Sequence, residues 1–292
     1  MLVLQLLFSG VQTGLIYALT AAGFALIFGA TRIFHVAHGA TFAIAGYAFV
    51  AVQPGYGWAA GCLVALLLAV LFGVGMERLV YRPIARHEAS FFTVFVAAFG
   101  ASVVVQSLIE VGFGRSFTSI STPLTRAVAV VPGLYVAPVL GIAAVVAVVM
   151  LGLVAGLLAR TRVGLGLRAL ASNPELLRVF GLSSRRLSML AFAVGSALAV
   201  PGAVLTAMTS GLTPSISAHV MLISLAATVV GGIGSLPGAV VAGLLLGVTE
   251  NLAVAVLDTQ WSEAAGFVLL FVFIVFKPRG LFGSALAVGG TR

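Results

Sequence analysis

Side chains able to do acid–base or metal chemistry are few in this chain of 292 residues, and the first are His35 and His38. Their spacing of three places both imidazoles on one helical face. Ionisable residues at membrane depth can titrate or bind a polar solute. No carboxylate or third ligand accompanies them, so we do not expect a metal site. We expect instead that both histidines hydrogen-bond to backbone groups near a helix end.

Motifs for covalent catalysis and nucleotide binding are absent from the sequence. There is no G-x-x-x-x-G-K-[ST], no G-x-S-x-G and no H-E-x-x-H, and Lys277, the sole lysine, follows no glycine loop. Glu77, Glu110 and Glu250 lie near the ends of the membrane-spanning segments that hydropathy predicts below. Only Glu250 is placed to serve a proton-coupled pump, and the ordinary alternative is an interface anchor. We therefore expect no enzymatic activity and no cofactor.

The composition is that of a polytopic membrane protein. Hydrophobic residues make up 61% of the chain and charged residues 8%, with a mean hydropathy of +1.23. Water-soluble domains carry about 25% charged residues. A helix needs about 20 apolar residues to cross the bilayer, so the length allows about 8–10 membrane segments. The predicted fold is an all-α transmembrane bundle forming a single domain over residues 1–292.

Charge-free runs locate the spans. A break at Q-P-G-Y-G, residues 53–57, divides a run too long for one crossing. The predicted spans are about 3–29, 34–52, 58–77, 90–110, 134–158 and 187–208, two short spans within 212–249, and 262–276.

The cationic residues orient these spans. Thirteen of the fifteen Lys and Arg residues fall on one side of the nine-span arrangement, which predicts that side to be cytoplasmic, with the N-terminus outside. The arginines lie beside spans and not in a basic domain with aromatics, so no nucleic-acid partner is expected.

A short amphipathic helix lies in the arginine-rich loop of residues 159–187. N-P-E-L-L-R-V-F-G, residues 173–181, combines an N-cap residue, a proline at the first helical position and a closing glycine. Its apolar side chains predict that the helix binds in a groove of a partner protein. The alternative is that it packs on its own protein or on lipid headgroups. The candidate coupling residues are Asn173, Pro174, Glu175, Leu176, Leu177, Arg178, Phe180 and Gly181.

Two segments interrupt the helical pattern, R-I-F-H-V-A-H-G-A-T at 32–41 and G-G-I-G-S-L-P-G at 231–238. Each follows the first span of its half, and the halves are predicted to be inverted. Such paired breaks point to a transporter's pathway, whereas glycines that only allow close helix packing are the alternative. The candidate pathway residues are His35, His38, Gly39, Gly231, Gly232, Gly234, Ser235, Pro237 and Gly238.

Several motifs in the same order resemble the permeases of high-affinity branched-chain amino-acid ABC importers. These are V-A-H-G at 36–39 with A-G-Y at 45–47, E-R-L-V-Y-R-P at 77–83, the loop of residues 161–182, V-V-G-G-I-G-S-L-P-G-A at 229–239 and K-P-R-G-L-F-G at 277–283. The resemblance spans nearly the whole chain.

The resemblance implies a permease subunit of an ATP-driven importer in a bacterial or archaeal cytoplasmic membrane. It implies two ATPase subunits inside, a solute-binding protein outside, and a second permease subunit that is a paralogue or the same chain. It also assigns docking to residues 173–181 and the pathway to the two interrupted segments.

Two positions depart from the family pattern. His35 stands where the family has asparagine, and Ala40 stands where it has an acidic residue. The cargo is therefore a branched-chain amino acid or an amide, urea or another small amino acid. A secondary transporter or facilitator driven by an ion gradient, and a channel, are the alternative functions.

Overall fold

The structure, a computed structural model, describes residues 2–87, 90–120, 122–131, 134–258 and 261–283. The side chains of Val130, Val131, Leu134, Glu175, Leu176, Arg178 and Glu263 lie outside the described part. The helices are α1 Leu2–Thr31, α2 His38–Gly75, α3 Arg82–Arg86, α4 Phe91–Phe113, α5 Pro138–Arg160, α6 Arg162–Ser172, α7 Pro174–Val179, α8 Ser184–Thr209, α9 Ile216–Gly231, α10 Leu236–Ala253 and α11 Ser262–Phe276.

Helix α2 folds back on itself at the predicted turn. Gly57 interrupts it with φ of 81°, a conformation that side chains disfavour. A straight helix would separate Gly46 from Gly73 by about 40 Å. Yet Gly46 lies against Ala203 and Gly73 against Ser196, which are about 10 Å apart along α8. The two arms are therefore the separate second and third spans predicted from the sequence.

Six of the described helices are long and apolar enough to cross a membrane. Because α2 contributes two arms and both α9 and α11 are shorter apolar helices, the described residues contain nine apolar helical segments. This confirms the predicted helical membrane bundle of about eight to ten segments.

Helix α1 is the centre of the bundle. It runs antiparallel to α8, because Thr20 contacts Gly202 while Gly23, nearer the other end of α1, contacts Gly195. It runs antiparallel to α10 in the same way, from Gly10 beside Val248 to Gly29 beside Gly234. Small residues at these crossings let the backbones approach closely, which is how helices associate in lipid.

A short hairpin departs from the all-α prediction. β1 Val128–Val131, which lies between the predicted spans 90–110 and 134–158, pairs antiparallel with β2 Leu134–Val136, at the start of the second of these spans. The hairpin is fixed to the start of α1, because the Gln5 side chain donates to the Tyr135 carbonyl at 2.7 Å and accepts from its N–H at 3.0 Å.

Two short connections enter the bundle from opposite ends. We call residues 32–37, between α1 and α2, the inner segment, and residues 210–215, between α8 and α9, the outer segment. The helices that follow them begin at the same depth, because Gly39 at the start of α2 abuts the Ser217 carbonyl at the start of α9. The inverted halves are present, but the second interruption is the outer segment and not residues 231–238.

Candidate functional site

The predicted short helix of the arginine-rich loop is present as α7. Asn173 precedes it with extended backbone, φ of −154° and ψ of 99°, as an N-cap residue requires. Gly181 follows with φ of 73°. The side chains of Glu175, Leu176 and Arg178 lie outside the described part of the structure.

Helix α7 has one apolar face on its own protein and another toward solvent. Leu177 is 2% exposed and belongs to a buried cluster whose other members are Ala30, Leu167, Leu170, Leu187 and Ala191. Val179 is 80% exposed, Phe180 78% and Leu182 50%. We call Val179, Phe180 and Leu182 the docking surface.

Leu177 and Phe180 therefore have different roles, although the sequence grouped them together. Leu177 holds α7 on the bundle and is not accessible to a partner. Phe180 is accessible over most of its surface. An exposed aromatic and two exposed aliphatic side chains at the end of an anchored helix are of the kind that a partner's groove recognises.

The histidines lie at the start of α2 and are fully buried. His38 Nε2 donates to the Thr20 carbonyl at 3.0 Å, near the middle of α1. His35 Nδ1 shares a hydrogen bond of 2.6 Å with the Tyr81 hydroxyl, and its ring lies edge-on to that of Phe192 with centroids 5.0 Å apart. His38 thus bonds to backbone as expected, whereas the Tyr81 contact was not foreseen.

The joint between α2 and α9 is the tightest approach near these histidines. A Cβ at Gly39 would collide with the Ser217 carbonyl and lie 3.1 Å from Met221 Cβ. Both helices therefore begin at mid-bundle depth, and their first turns are in contact.

The outer segment is held by backbone hydrogen bonds. Thr118 N–H donates to the Leu212 carbonyl at 2.9 Å, and Leu212 N–H donates to the Thr118 carbonyl at 2.7 Å. Ile120 N–H donates to the Ala207 carbonyl at 3.1 Å. Sequence reasoning missed this segment, although its S-G-L-T-P-S composition is typical of a turn.

The second set of candidate pathway residues lies elsewhere. Gly234 sits beside Gly29, about 14 Å along α1 from the level of Thr20 and His38. The motif forms the turn from α9 to α10, in which the Ser235 side chain accepts from Gly238 N–H at 3.1 Å. The structure therefore does not bring Gly231, Gly232, Gly234, Ser235, Pro237 and Gly238 together with His35, His38 and Gly39.

That turn is instead paired with the C-terminal motif. Leu281 N–H donates to the Val230 carbonyl at 2.8 Å, and Phe282 N–H donates to the Gly231 carbonyl at 2.9 Å. The two motifs that looked separate in the sequence form one structural unit. This unit lies at the end of the bundle that receives the inner segment.

The Glu250 carboxylate links two helices of the bundle. Tyr17 OH donates to Glu250 Oε2 at 2.8 Å, which ties α1 to α10 within the bundle. Across the ranges that the structure describes, no three His, Cys, Asp or Glu side chains come together as metal ligands.

Known proteins resemble this chain over almost its whole length. Residues 6–276 match the family described as branched-chain amino acid transport system / permease component. The permease protein LivH of the high-affinity branched-chain amino acid transport system of Escherichia coli (strain K12) is 29% identical, covering 96% of this chain and 95% of LivH. BraD of Pseudomonas aeruginosa, a permease protein of the same type of system, is 30% identical with the same coverage.

One solved structure shares the fold. The structure titled "PsaBC from Streptococcus pneumoniae in complex with Fab" aligns with a TM-score of 0.51 over 93% of this chain and 91% of its own. Its sequence identity is 16%, so the likeness concerns the fold alone.

Proposed function

Because this chain belongs to the family of permease components of branched-chain amino acid transport systems, we propose that it is the membrane-spanning subunit of an ATP-binding-cassette importer. Its cargo is a branched-chain amino acid, which moves into the cytoplasm by alternating access. ATP is hydrolysed by a partner ATPase and not by this chain. The observation that carries the proposal is the docking surface, in which Phe180 is 78% exposed directly after α7, a helix anchored by Leu177.

The partners follow from this assignment. The complex contains two ATPase subunits, a second permease subunit that is a paralogue or the same chain, and an extracytoplasmic solute-binding protein. One chain offers one docking surface, and a closing pair of ATPases needs two. The docking contacts are made by Val179, Phe180 and Leu182, at the end of the predicted coupling stretch of residues 173–181, with Phe180 as the central contact.

The sidedness follows from the cations. Arg160, Arg162, Arg168, Arg185 and Arg186 lie within or beside α6 and α7, and thirteen of the fifteen cations share that side in the arrangement of spans predicted from the sequence. The positive-inside rule therefore supports a cytoplasmic docking surface, in a bacterium or archaeon. The inner segment enters from the same side, and the outer segment enters from the side of the binding protein.

The experiment is uptake of labelled leucine, isoleucine and valine by proteoliposomes that hold the complete complex. We expect uptake that requires ATP on the ATPase side and the binding protein on the other. Uptake that follows an imposed ion gradient without ATP would support a secondary transporter and contradict the proposal.

Two substitutions test the docking surface within that assay. Phe180→Asp should weaken ATPase docking by about thirtyfold, the loss of a single hot spot of about 2 kcal/mol. Tyr56→Asp is the control, because Tyr56 is an equally exposed aromatic, 81%, at the turn of α2. Normal ATPase binding by the Phe180→Asp complex would contradict docking at this surface.

A further inference from the structure

The start of α8 presents two faces to two different parts of the molecule. On one face, Leu187 and Ala191 share a buried cluster with Leu177, the anchor of α7. On the other, Phe192 packs on Tyr81 with ring centroids 5.5 Å apart, and Ser188, one turn earlier, lies beside Glu77. Because residues four apart in a helix share a face, one rigid helix contacts the docking helix and the Glu77–Tyr81 region together.

Glu77 and Tyr81 lie in a π-helical turn, Met76–Tyr81, that follows α2. Both side chains are buried, at 5% and 1% exposure. A π-helical turn is a rare irregularity that is frequently found at functional sites. Here it directs Glu77 and Tyr81 toward α8.

The Tyr81 hydroxyl connects this turn to the inner segment. Its hydrogen bond with His35 Nδ1 is 2.6 Å long and fully buried. Three residues farther on, His38 bonds the Thr20 carbonyl, and Gly39 abuts Ser217. A displacement of Tyr81 therefore acts on the start of α2, where it meets α9.

We infer that Tyr81 is a positioning residue for transport: through its hydrogen bond with His35 it transmits displacement of α7 and α8 to the joint between α2 and α9. This inference rests on the proposed function, because it requires an ATPase that moves α7. Tyr81 contacts neither cargo nor nucleotide in this role. It sets the position of the inner segment when the docking surface moves.

The test is Tyr81→Phe in the complete complex in proteoliposomes. The substitution keeps the ring on Phe192 and removes only the hydroxyl. We expect ATPase binding and basal ATP hydrolysis to stay at the wild-type level. Leucine uptake, and the stimulation of hydrolysis by loaded binding protein, should fall about fivefold or more, the range of ordinary coupling between sites.

Tyr47→Phe is the matched control. Tyr47, in α2, is also a buried tyrosine, but its hydroxyl has no hydrogen-bond partner within the described ranges. Its removal should leave both uptake and stimulation within about twofold of wild type. A His35→Leu variant should lose stimulation as Tyr81→Phe does, and the double variant should be no worse than either single one.

Three results would contradict the role inferred for Tyr81. Full stimulation in Tyr81→Phe overturns the inference, as does an equal loss in Tyr47→Phe. A parallel loss of basal hydrolysis and of complex assembly would also overturn it, since the hydroxyl would then be only structural. If the wild-type complex shows no ATP-dependent uptake, the proposed function fails, and this outcome is distinguishable because it precedes any comparison of variants.

Discussion

The inner and outer segments occupy equivalent places in the two halves but are held by different groups. The inner segment and the first residue of α2 are fixed by side chains, through the hydrogen bond of His35 with Tyr81 and that of His38 with the Thr20 carbonyl. The outer segment is fixed by backbone, through the paired hydrogen bonds of Thr118 and Leu212. The hydrogen bonds of the first attachment depend on residue type, whereas those of the second are made by backbone groups.

This difference fits what lies beyond each segment. The inner one leads through Tyr81 and α8 to the docking surface, where a rigid connection transmits force. The outer one leads to the loop that ends in the hairpin β1–β2, which faces the side assigned to the binding protein. Substitutions of Gly39, His35, Thr118 and Gln5 test this difference between the inner and outer segments.

The joint common to both segments should be the most sensitive position. Gly39→Ala places a methyl group against the Ser217 carbonyl, a backbone atom that cannot rotate away. We expect a loss of about 3 kcal/mol in the free energy of unfolding, the upper part of the range for overpacking. Titration of the micelle-bound protein with SDS, followed by circular dichroism, measures it.

Gly75→Ala is the control for that substitution. Gly75 ends the same helix, and a Cβ there meets no atom within 4 Å. It should leave stability unchanged or raise it by up to about 1 kcal/mol, the helix propensity of alanine over glycine. Equal losses in the two variants would show that α2 and α9 do not meet as described.

The inner segment should lose its attachment to Tyr81 when the His35 side chain is replaced. His35→Leu leaves the buried Tyr81 hydroxyl without its partner, which should cost about 2 kcal/mol. Ser215→Ala, an exposed position of the outer segment, should change stability by less than about 0.5 kcal/mol. The same SDS titration compares them, and a larger effect at Ser215 would reverse the contrast.

A backbone attachment should respond to proline and not to alanine. Thr118→Pro removes the N–H that donates to Leu212 and should cost about 1.5 kcal/mol. Thr118→Ala keeps both backbone bonds and should be nearly neutral. If Thr118→Ala loses as much stability as Thr118→Pro, then the Thr118 side chain and not its backbone holds the outer segment. The two segments would then not differ in how they are attached.

The smallest effect is expected where the hairpin meets α1. Gln5→Ala removes two exposed hydrogen bonds to Tyr135 and should cost about 0.5 kcal/mol or less, because water replaces them. Stimulation of ATP hydrolysis by the binding protein should fall more than stability does. Unchanged stimulation would show that the hairpin's attachment to α1 is irrelevant to the outer side.

The sequence predicted those features of the fold that depend on local signals. Span positions followed from charge-free runs, and the turn at residues 53–57 followed from proline and glycine. The position of α7 followed from its caps. Hydropathy reports which residues avoid water, and caps report where a helix begins, so both signals are local.

The depth and partners of irregular segments did not follow, because they depend on contacts between distant residues. Residues 231–238 contain more glycine than the outer segment does, yet they form a turn at the end of the bundle. The backbone pairing of Thr118 with Leu212 leaves no signature in side chains. The burial of Leu177 and the exposure of Phe180 likewise depend on α8, which the sequence of α7 does not contain.

The most direct test of the account measures access to Phe180 in the assembled complex. With the exposed Cys62 replaced by serine, Phe180→Cys, Leu177→Cys and Tyr56→Cys variants are labelled with a maleimide dye, with and without the ATPase subunits. We predict fast labelling at position 180 that the ATPase suppresses, slow labelling at 177 throughout, and fast labelling at 56 that the ATPase leaves unchanged. Equal labelling at position 180 with and without bound ATPase would contradict the claim that force enters the permease there.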